Sequence, residues 1–133
     1  MKNEIIQAIK QLSFDNKVVL FEDTKLSENI ITKIQTKFVI GNPRVWWLKF
    51  IKKPQSFTYD TKYLYKQIIN FFKPNESVWI VIEDDTNFLL LSTIEDFINI
   101  VGECNYFEYN IINLEMNKLL CENDHDELLL VEL

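Results

Sequence analysis

The sequence has few of the residues that build catalytic loops. Its 133 residues include two Gly, three Pro, two Cys and one His. So few glycines leave no glycine-rich loop to hold a phosphate, and no Gly-x-Ser-x-Gly nucleophile motif occurs. Cys104 and Cys121 lack the paired C-x-x-C spacing of a zinc site, and we expect both to be reduced thiols. The sequence therefore predicts no catalytic triad, no structural metal and no cofactor.

Long hydrophobic runs are also missing. No stretch approaches the ~20 apolar residues that span a bilayer, and the N-terminal segment is too polar for a signal peptide. We therefore expect a cytoplasmic protein with no membrane partner. Apolar residues make up 47% of the chain and aromatic residues 14%, which is enough for one hydrophobic core in a chain of this size. The prediction is a single domain over residues 1–133.

Positive charge is almost absent from the second half of the chain. Residues 1–73 carry 13 Lys and Arg against 6 Asp and Glu, a net charge of +7, whereas residues 74–133 carry Lys118 against 14 acids, a net charge of −13. A block of one sign raises the local potential and speeds encounter with an oppositely charged partner. The pattern predicts a basic protein partner. The alternative is that the basic half neutralises the acidic half within the fold.

Hydrophobic periodicity predicts helices early in the chain and strands later. Residues 78–82 are apolar at every position, which is typical of a central strand in a sheet covered on both faces. Ser27 is predicted to cap one helix, and Ser92 with Glu95 to form the capping box of another that stops at Gly102. The order predicts an α+β fold, in which N-terminal helices pack on a mostly antiparallel sheet formed largely by the C-terminal half.

Two acidic clusters follow predicted strands. The simplest interpretation of each is a solvated turn, because Asp and Asn favour turns. If the sheet brings both clusters to one end, they would form a continuous anionic surface. We call the following set the rim carboxylates: Glu83, Asp84, Asp85, Glu122, Asp124, Asp126 and Glu127.

Aromatic and basic residues alternate around Trp46 and Trp47. This pattern is similar to a platform for single-stranded nucleic acid, but the net charge of −6 opposes phosphate binding. We therefore expect no nucleic-acid partner, and we expect each Trp to anchor a protein partner if exposed and to belong to the core if buried. Glu108 lies within an aromatic strand, where Arg44, the only arginine, could form a bidentate pair with it.

Several segments resemble an uncharacterised family of small bacterial proteins. They are RVWW at 44–47, VWIVIED at 78–84, GEC at 102–104, FEY at 107–109 and LLCENDHD at 119–126. Members of that family tend to read RWWW, VWFIVEDD, GECFGFEYY and WLLCENHHD. This chain departs from them in having Asn110 for a tyrosine, Lys118 for a tryptophan and Asp124 for the first histidine. In size and style the chain is also similar to SUKH-type toxin-immunity proteins.

The charge pattern and this resemblance together predict a non-enzymatic immunity protein. Its rim carboxylates, with His125, Trp46 and Trp47, would cover a basic bacterial toxin such as a nuclease, and no residue would be catalytic. The alternative is a small metal-dependent hydrolase that uses Glu122, His125 and Asp126 to hold a metal or transfer protons. The replacement of the family's first histidine by Asp124 weakens that alternative, because a His pair is lost.

Overall fold

The apolar residues 78–82 form an interior strand of an antiparallel sheet. The structure is a computed structural model that describes residues 1–14 and 17–133. Within this part of the chain the sheet has seven strands in the spatial order β1-β4-β3-β5-β6-β7-β2, and all neighbours are antiparallel. The strands are β1 (Val19–Leu20), β2 (Gln55–Thr58), β3 (Ser77–Glu83), β4 (Phe88–Thr93), β5 (Glu108–Asn113), β6 (Lys118–Glu122) and β7 (Glu127–Glu132). The predicted α+β fold, with a sheet mostly from the C-terminal half, is confirmed.

Helices cover both faces of this sheet, because its strands are apolar on both sides. The helices are α1 (Lys2–Gln11), α2 (Thr24–Phe38) and α3 (Ile94–Gly102), with 3-10 helices at Trp46–Lys49 and Leu64–Asn70. One hydrophobic cluster joins α1, α3 and the second 3-10 helix to the sheet, and we call that side the α1/α3 face. A second cluster joins α2 and the first 3-10 helix to the opposite side, the α2 face. No helix among the described residues is long and apolar enough to cross a membrane.

The capping predictions miss the observed helix starts by one or a few residues. The Asp23 side chain caps α2, whereas Ser27 lies inside the helix and is buried. Thr93 rather than Ser92 caps α3, since its hydroxyl accepts from the backbone N–H of Asp96, whereas the buried Ser92 hydroxyl donates to the Thr93 carbonyl. Gly102 is the last residue of α3, and Glu103 forms the C-cap.

The strand register decides where the acidic turns lie. Glu83 at the end of β3 is opposite Glu108 at the start of β5, and Glu122 at the end of β6 is opposite Tyr109. The turn between β3 and β4 and the turn between β6 and β7 therefore lie at the same end of the sheet. We call this the rim end. The turn between β5 and β6 lies at the opposite end.

Candidate functional site

The rim end collects all of the rim carboxylates. Asp84, Asp85, Asp124 and Asp126 lie on the two turns and are exposed, whereas Glu83, Glu122 and Glu127 occupy strand ends and are half-buried. Glu108, which is not one of the rim carboxylates defined above, lies opposite Glu83 and adds a further carboxylate at the rim end. Because neighbouring side chains on a strand point to opposite faces, Glu83 and Glu108 lie on the α2 face and Glu122 on the α1/α3 face.

Glu83 is held in place by two donors on the α2 face. Its Oε1 accepts a hydrogen bond of 2.9 Å from the side-chain amide of Asn110 and one of 3.2 Å from the backbone N–H of Trp46. Burial raises the pKa of Glu83 above its usual value, although both hydrogen bonds act in the opposite direction. The Asn110 side chain and the Trp46 backbone together therefore orient this carboxylate.

Glu108 lies directly across from Glu83, and two like charges in this position repel each other. Burial and the nearby Asp124 raise the pKa of Glu108, whereas Arg44 and Trp47 lower it. The predicted bidentate pair is wrong, because no Arg44–carboxylate ion pair within 4.0 Å exists among the described residues. Arg44 is exposed and acts on Glu108 through space.

The two tryptophans have different roles. Trp46 is 3% exposed and belongs to the core of the α2 face, so its side chain cannot anchor a partner. Trp47 is half-buried, and its ring centroid lies 5.6 Å from that of His125 in an edge-on arrangement. Its indole nitrogen is buried and has no hydrogen-bond partner among the described residues. The indole N–H is still near enough to the Glu108 carboxylate to lower the pKa of that group. Trp47 therefore links the first 3-10 helix to the turn that carries His125.

An open cleft of about 630 Å³ lies on the α2 face of the rim end. The β3–β4 turn forms one wall, and α2 with the segment 42–46 forms the other. Glu83, Glu108, Asp84 and Asp85 line it together with Arg44. The net negative charge of these side chains favours the binding of a cationic group, and Arg44 in the wall of the cleft offsets one of the negative charges.

Asn123 organises the β6–β7 turn, and sequence reasoning gave it no role. It is 1% exposed, and its side-chain oxygen accepts the backbone N–H groups of His125 and Glu127, both at 3.0 Å. Its amide donates to the Glu127 carboxylate at 2.9 Å. Ser56 and Asn123 together lower the pKa of Glu127. Asp126 has a left-handed φ of 60°, a conformation that Asp and Asn tolerate better than most residues do.

The three groups of the hydrolase alternative do not converge. Glu122 points to the α1/α3 face, where the Tyr109 hydroxyl donates to it at 2.6 Å. His125 packs on Trp47, which belongs to the α2 face, and its Nε2 lies 3.6 Å from the exposed Asp124 carboxylate. Within residues 1–14 and 17–133, no three His, Cys, Asp or Glu residues form a group that could hold a metal ion.

Direct contacts between the basic and acidic halves are scarce. Among the described residues, no Lys or Arg lies within 4.0 Å of a side-chain carboxylate; the two ion pairs found join Asp84 to the Met1 amino group and Asp124 to His125. Lysines make other contacts instead: Lys52 donates to the Glu132 carbonyl at 2.9 Å, and Lys118 donates to the Phe71 carbonyl. The internal-neutralisation alternative therefore has no support from direct ion pairing.

Comparisons of the chain with known protein families, with curated proteins and with solved structures found no match. The resemblance described above stays a prediction.

Proposed function

We propose that the protein is a non-enzymatic binding protein whose rim end docks on a basic partner. The observation that carries this proposal is the convergence of the rim carboxylates at one end of the sheet, with no Lys or Arg ion pair to them among the described residues. Within the described residues, the Met1 amino group near Asp84 and His125 beside Asp124 are the cationic groups paired with this set, so most of its charge is available to a partner of the other sign.

The resemblance to a bacterial family and to immunity proteins gives the proposal its specific form. The partner is a cognate toxin with a basic active site, such as a nuclease, and inhibition is by occlusion inside the producing cell. Long-range attraction from the exposed Asp84, Asp85, Asp124 and Asp126 speeds the encounter, and a few packed side chains then slow dissociation. Trp47 with His125 is the aromatic pair placed to serve as such an anchor.

The half-buried carboxylates support a cationic partner in a second way. Glu83 and Glu108 face each other across β3 and β5, and burial raises the pKa of both. A basic side chain entering the cleft beside them would relieve the repulsion between them and favour their charged forms. The cleft would then recognise charge that is presented at a defined position.

A pair of matched double variants tests this proposal. Asp85→Lys with Asp124→Lys reverses two exposed rim carboxylates that make no hydrogen bond, and Glu115→Lys with Glu132→Lys makes the same charge change at the opposite end of the sheet. The partner is first captured from lysate of the native host by the wild-type protein and released by salt. Its affinity for each purified variant is then measured by titration calorimetry.

We expect the rim variant to bind at least about tenfold more weakly, since close charge pairs across an interface couple by more than 1.4 kcal/mol. The opposite-end variant should bind within about threefold of wild type, because screened charges at a distance contribute little. Equal losses in both variants would show that net charge alone matters. His125→Ala is the control for the enzyme alternative: losing one anchor contact should weaken the binding of the partner only in part, whereas a hydrolase would lose turnover.

A further inference from the structure

A second, smaller cavity opens on the α1/α3 face of the rim end. Its volume is about 230 Å³. Four of the chain's five tyrosines line it, so its walls are aromatic: Tyr63, Tyr65, Tyr106 and Tyr109. Tyr63 and Tyr106 are 44% and 52% exposed, which leaves ring surface open at the mouth. Gly102 leaves room for the wall, because a Cβ there would lie 3.3 Å from the Tyr65 hydroxyl.

The Glu122 carboxylate lies among these rings. It accepts a hydrogen bond of 2.6 Å from the hydroxyl of Tyr109, which is 1% exposed. The Tyr109 ring is fixed by edge-on contacts with Phe97 and Phe107, at centroid distances of 5.2 and 5.7 Å. Among the described residues, no Lys, Arg or His lies within 4.0 Å of Glu122. The cavity therefore holds a carboxylate that has a donor but no cation.

We propose that this cavity receives the ammonium group of a lysine side chain presented by the basic partner. That the lysine belongs to the basic partner rests on the proposed function. That the cavity binds an ammonium group rests on the residues of the cavity alone. Aromatic ring faces attract ammonium ions, and more strongly where water is excluded. The volume is below the roughly 300 Å³ at which small-molecule sites begin, so the tip of a side chain fits better than a metabolite.

The hydrogen bond at Glu122 favours lysine over arginine. Because the Tyr109 hydroxyl already donates to Oε1, a guanidinium fork, which uses both oxygens for bidentate binding, would have to share that oxygen with it. An ammonium group is a compact point charge that needs only one. The Tyr63 ring already has two ammonium groups beside it, since Nζ of Lys62 and Nζ of Lys66 lie 5.3 and 4.9 Å from its centroid. The exposed ring of Tyr106 is therefore the one that remains for an incoming lysine.

Lys62 supplies a test of the sign of the ligand's charge. It lines the cavity, so its ammonium group repels an incoming cation and would attract an incoming anion. Replacing it with Ala should therefore strengthen the binding of a lysine side chain. The same substitution would weaken the binding of any anionic ligand.

The experiment titrates isotopically labelled protein with N-acetyl-lysine methylamide and follows the cavity residues by NMR. The matched neutral probe is N-acetyl-norleucine methylamide, and N-acetyl-arginine methylamide tests the choice of cation. Variants are Lys62→Ala, Glu122→Gln, which can still accept from Tyr109, and Glu115→Gln as a control at the opposite end of the sheet. None of these titrations needs the partner, so their outcome is independent of whether rim docking is correct.

We expect saturable shifts at Gly102, Asn105 and Tyr106 with the lysine probe, weaker shifts with arginine and none with norleucine. Binding should tighten about threefold in Lys62→Ala, weaken about fivefold in Glu122→Gln and stay unchanged in Glu115→Gln, as expected for one partly screened charge. Equal binding of norleucine, weaker binding by Lys62→Ala, or no shift at the cavity residues would overturn the inference. Two results together would separate the cavity site from the rim proposal. If the lysine probe still binds the Asp85→Lys with Asp124→Lys variant, and the protein captures no basic partner, the cavity site is supported and rim docking is not.

Discussion

The two faces of the sheet handle a carboxylate at the rim end in different ways. On the α2 face, Glu83 is fixed by two hydrogen bonds beside a second carboxylate, Glu108, in an open cleft. On the α1/α3 face, Glu122 has one hydrogen bond and lies among aromatic rings in a small cavity. The first arrangement presents charge in a fixed position over a wide area. The second presents a single charge at a place that only a narrow group can enter.

The largest expected effect separates the core of the α2 face from its rim. Trp46→Ala should lower the free energy of unfolding by about 3–5 kcal/mol, because it removes a buried indole and leaves a cavity. Trp47→Ala should cost about 1 kcal/mol, since that side chain is only half-buried and packs on His125 and on the edge of the α2-face cluster. Urea denaturation of both variants measures the difference. Equal costs would contradict the assignment of Trp46 to the core and Trp47 to the rim.

Cys104 reports on the aromatic cavity of the other face, which it helps to line. Burial, with Glu4 and Glu103 nearby, raises the pKa of the Cys104 thiol to about 11. At neutral pH, the fraction of Cys104 present as thiolate is therefore about a hundredfold smaller than for an ordinary cysteine. The thiolate is the reactive form. The alkylation rate of Cys104 should therefore keep rising up to about pH 11. A plateau near the ordinary thiol value would contradict the account of a partly water-excluded cavity, and Cys104→Ser gives the background rate.

Removing each carboxylate's donor compares the two faces directly. Asn110→Ala leaves the half-buried Glu83 without its shorter hydrogen bond and also removes the atoms of a side chain that is 2% exposed, so it should cost about 2 kcal/mol. Tyr109→Phe removes the hydroxyl bond to Glu122 and should cost about 1 kcal/mol, since the ring packing is kept. Asn105→Ala is the exposed control, with an expected cost below about 0.5 kcal/mol. Thermal unfolding of the three variants gives the order, and the reverse order for Asn110 and Tyr109 would contradict the difference between the faces.

The smallest expected effect is on pH dependence. Carboxyl groups with raised pKa values bind more protons in the folded state than in the unfolded state, so their contribution to stability falls as pH rises through that range. Burial raises the pKa of Glu83, Glu108 and Glu122, and Glu127, whose pKa is lowered, acts in the opposite direction.

Glu108→Gln removes one member of the facing pair. It should stabilise the protein by about 0.5 kcal/mol at neutral pH, with the gain disappearing by about pH 4, where the wild-type group is protonated. Urea midpoints at the two pH values measure this. A variant that is less stable than wild type at neutral pH would show that Arg44 outweighs the repulsion from Glu83 and Asp124.

Much of the fold could be predicted from local patterns. The run 78–82 identified an interior strand because only a covered sheet accommodates apolar residues on both faces. The start of α3 was misplaced because Ser92 and Thr93 are both good caps, and only the packing that buries Ser92 decides between them. Helices on both faces could not be derived, because the side on which each helix packs depends on long-range contacts.

The charged residues of the candidate site could be predicted from the sequence, but their positions relative to one another could not. The acidic clusters are visible in the sequence, but their common position depends on the strand order. Alternation along β6 sends Glu122 to one face, while the turn built by Asn123 carries His125 against Trp47. The tyrosine-lined cavity left no signal, because its residues are spread from Lys62 to Glu122 without any motif spacing.

The most direct test of the central claim is the ionic-strength dependence of the association rate with the purified partner. For the wild-type protein and for Glu115→Lys with Glu132→Lys, we expect the rate to fall steeply with salt, as it does when opposite charges steer an encounter. For Asp85→Lys with Asp124→Lys, we expect a slower rate at low salt and a much shallower dependence. The same steep dependence in both double variants would show that the rim end does not direct binding.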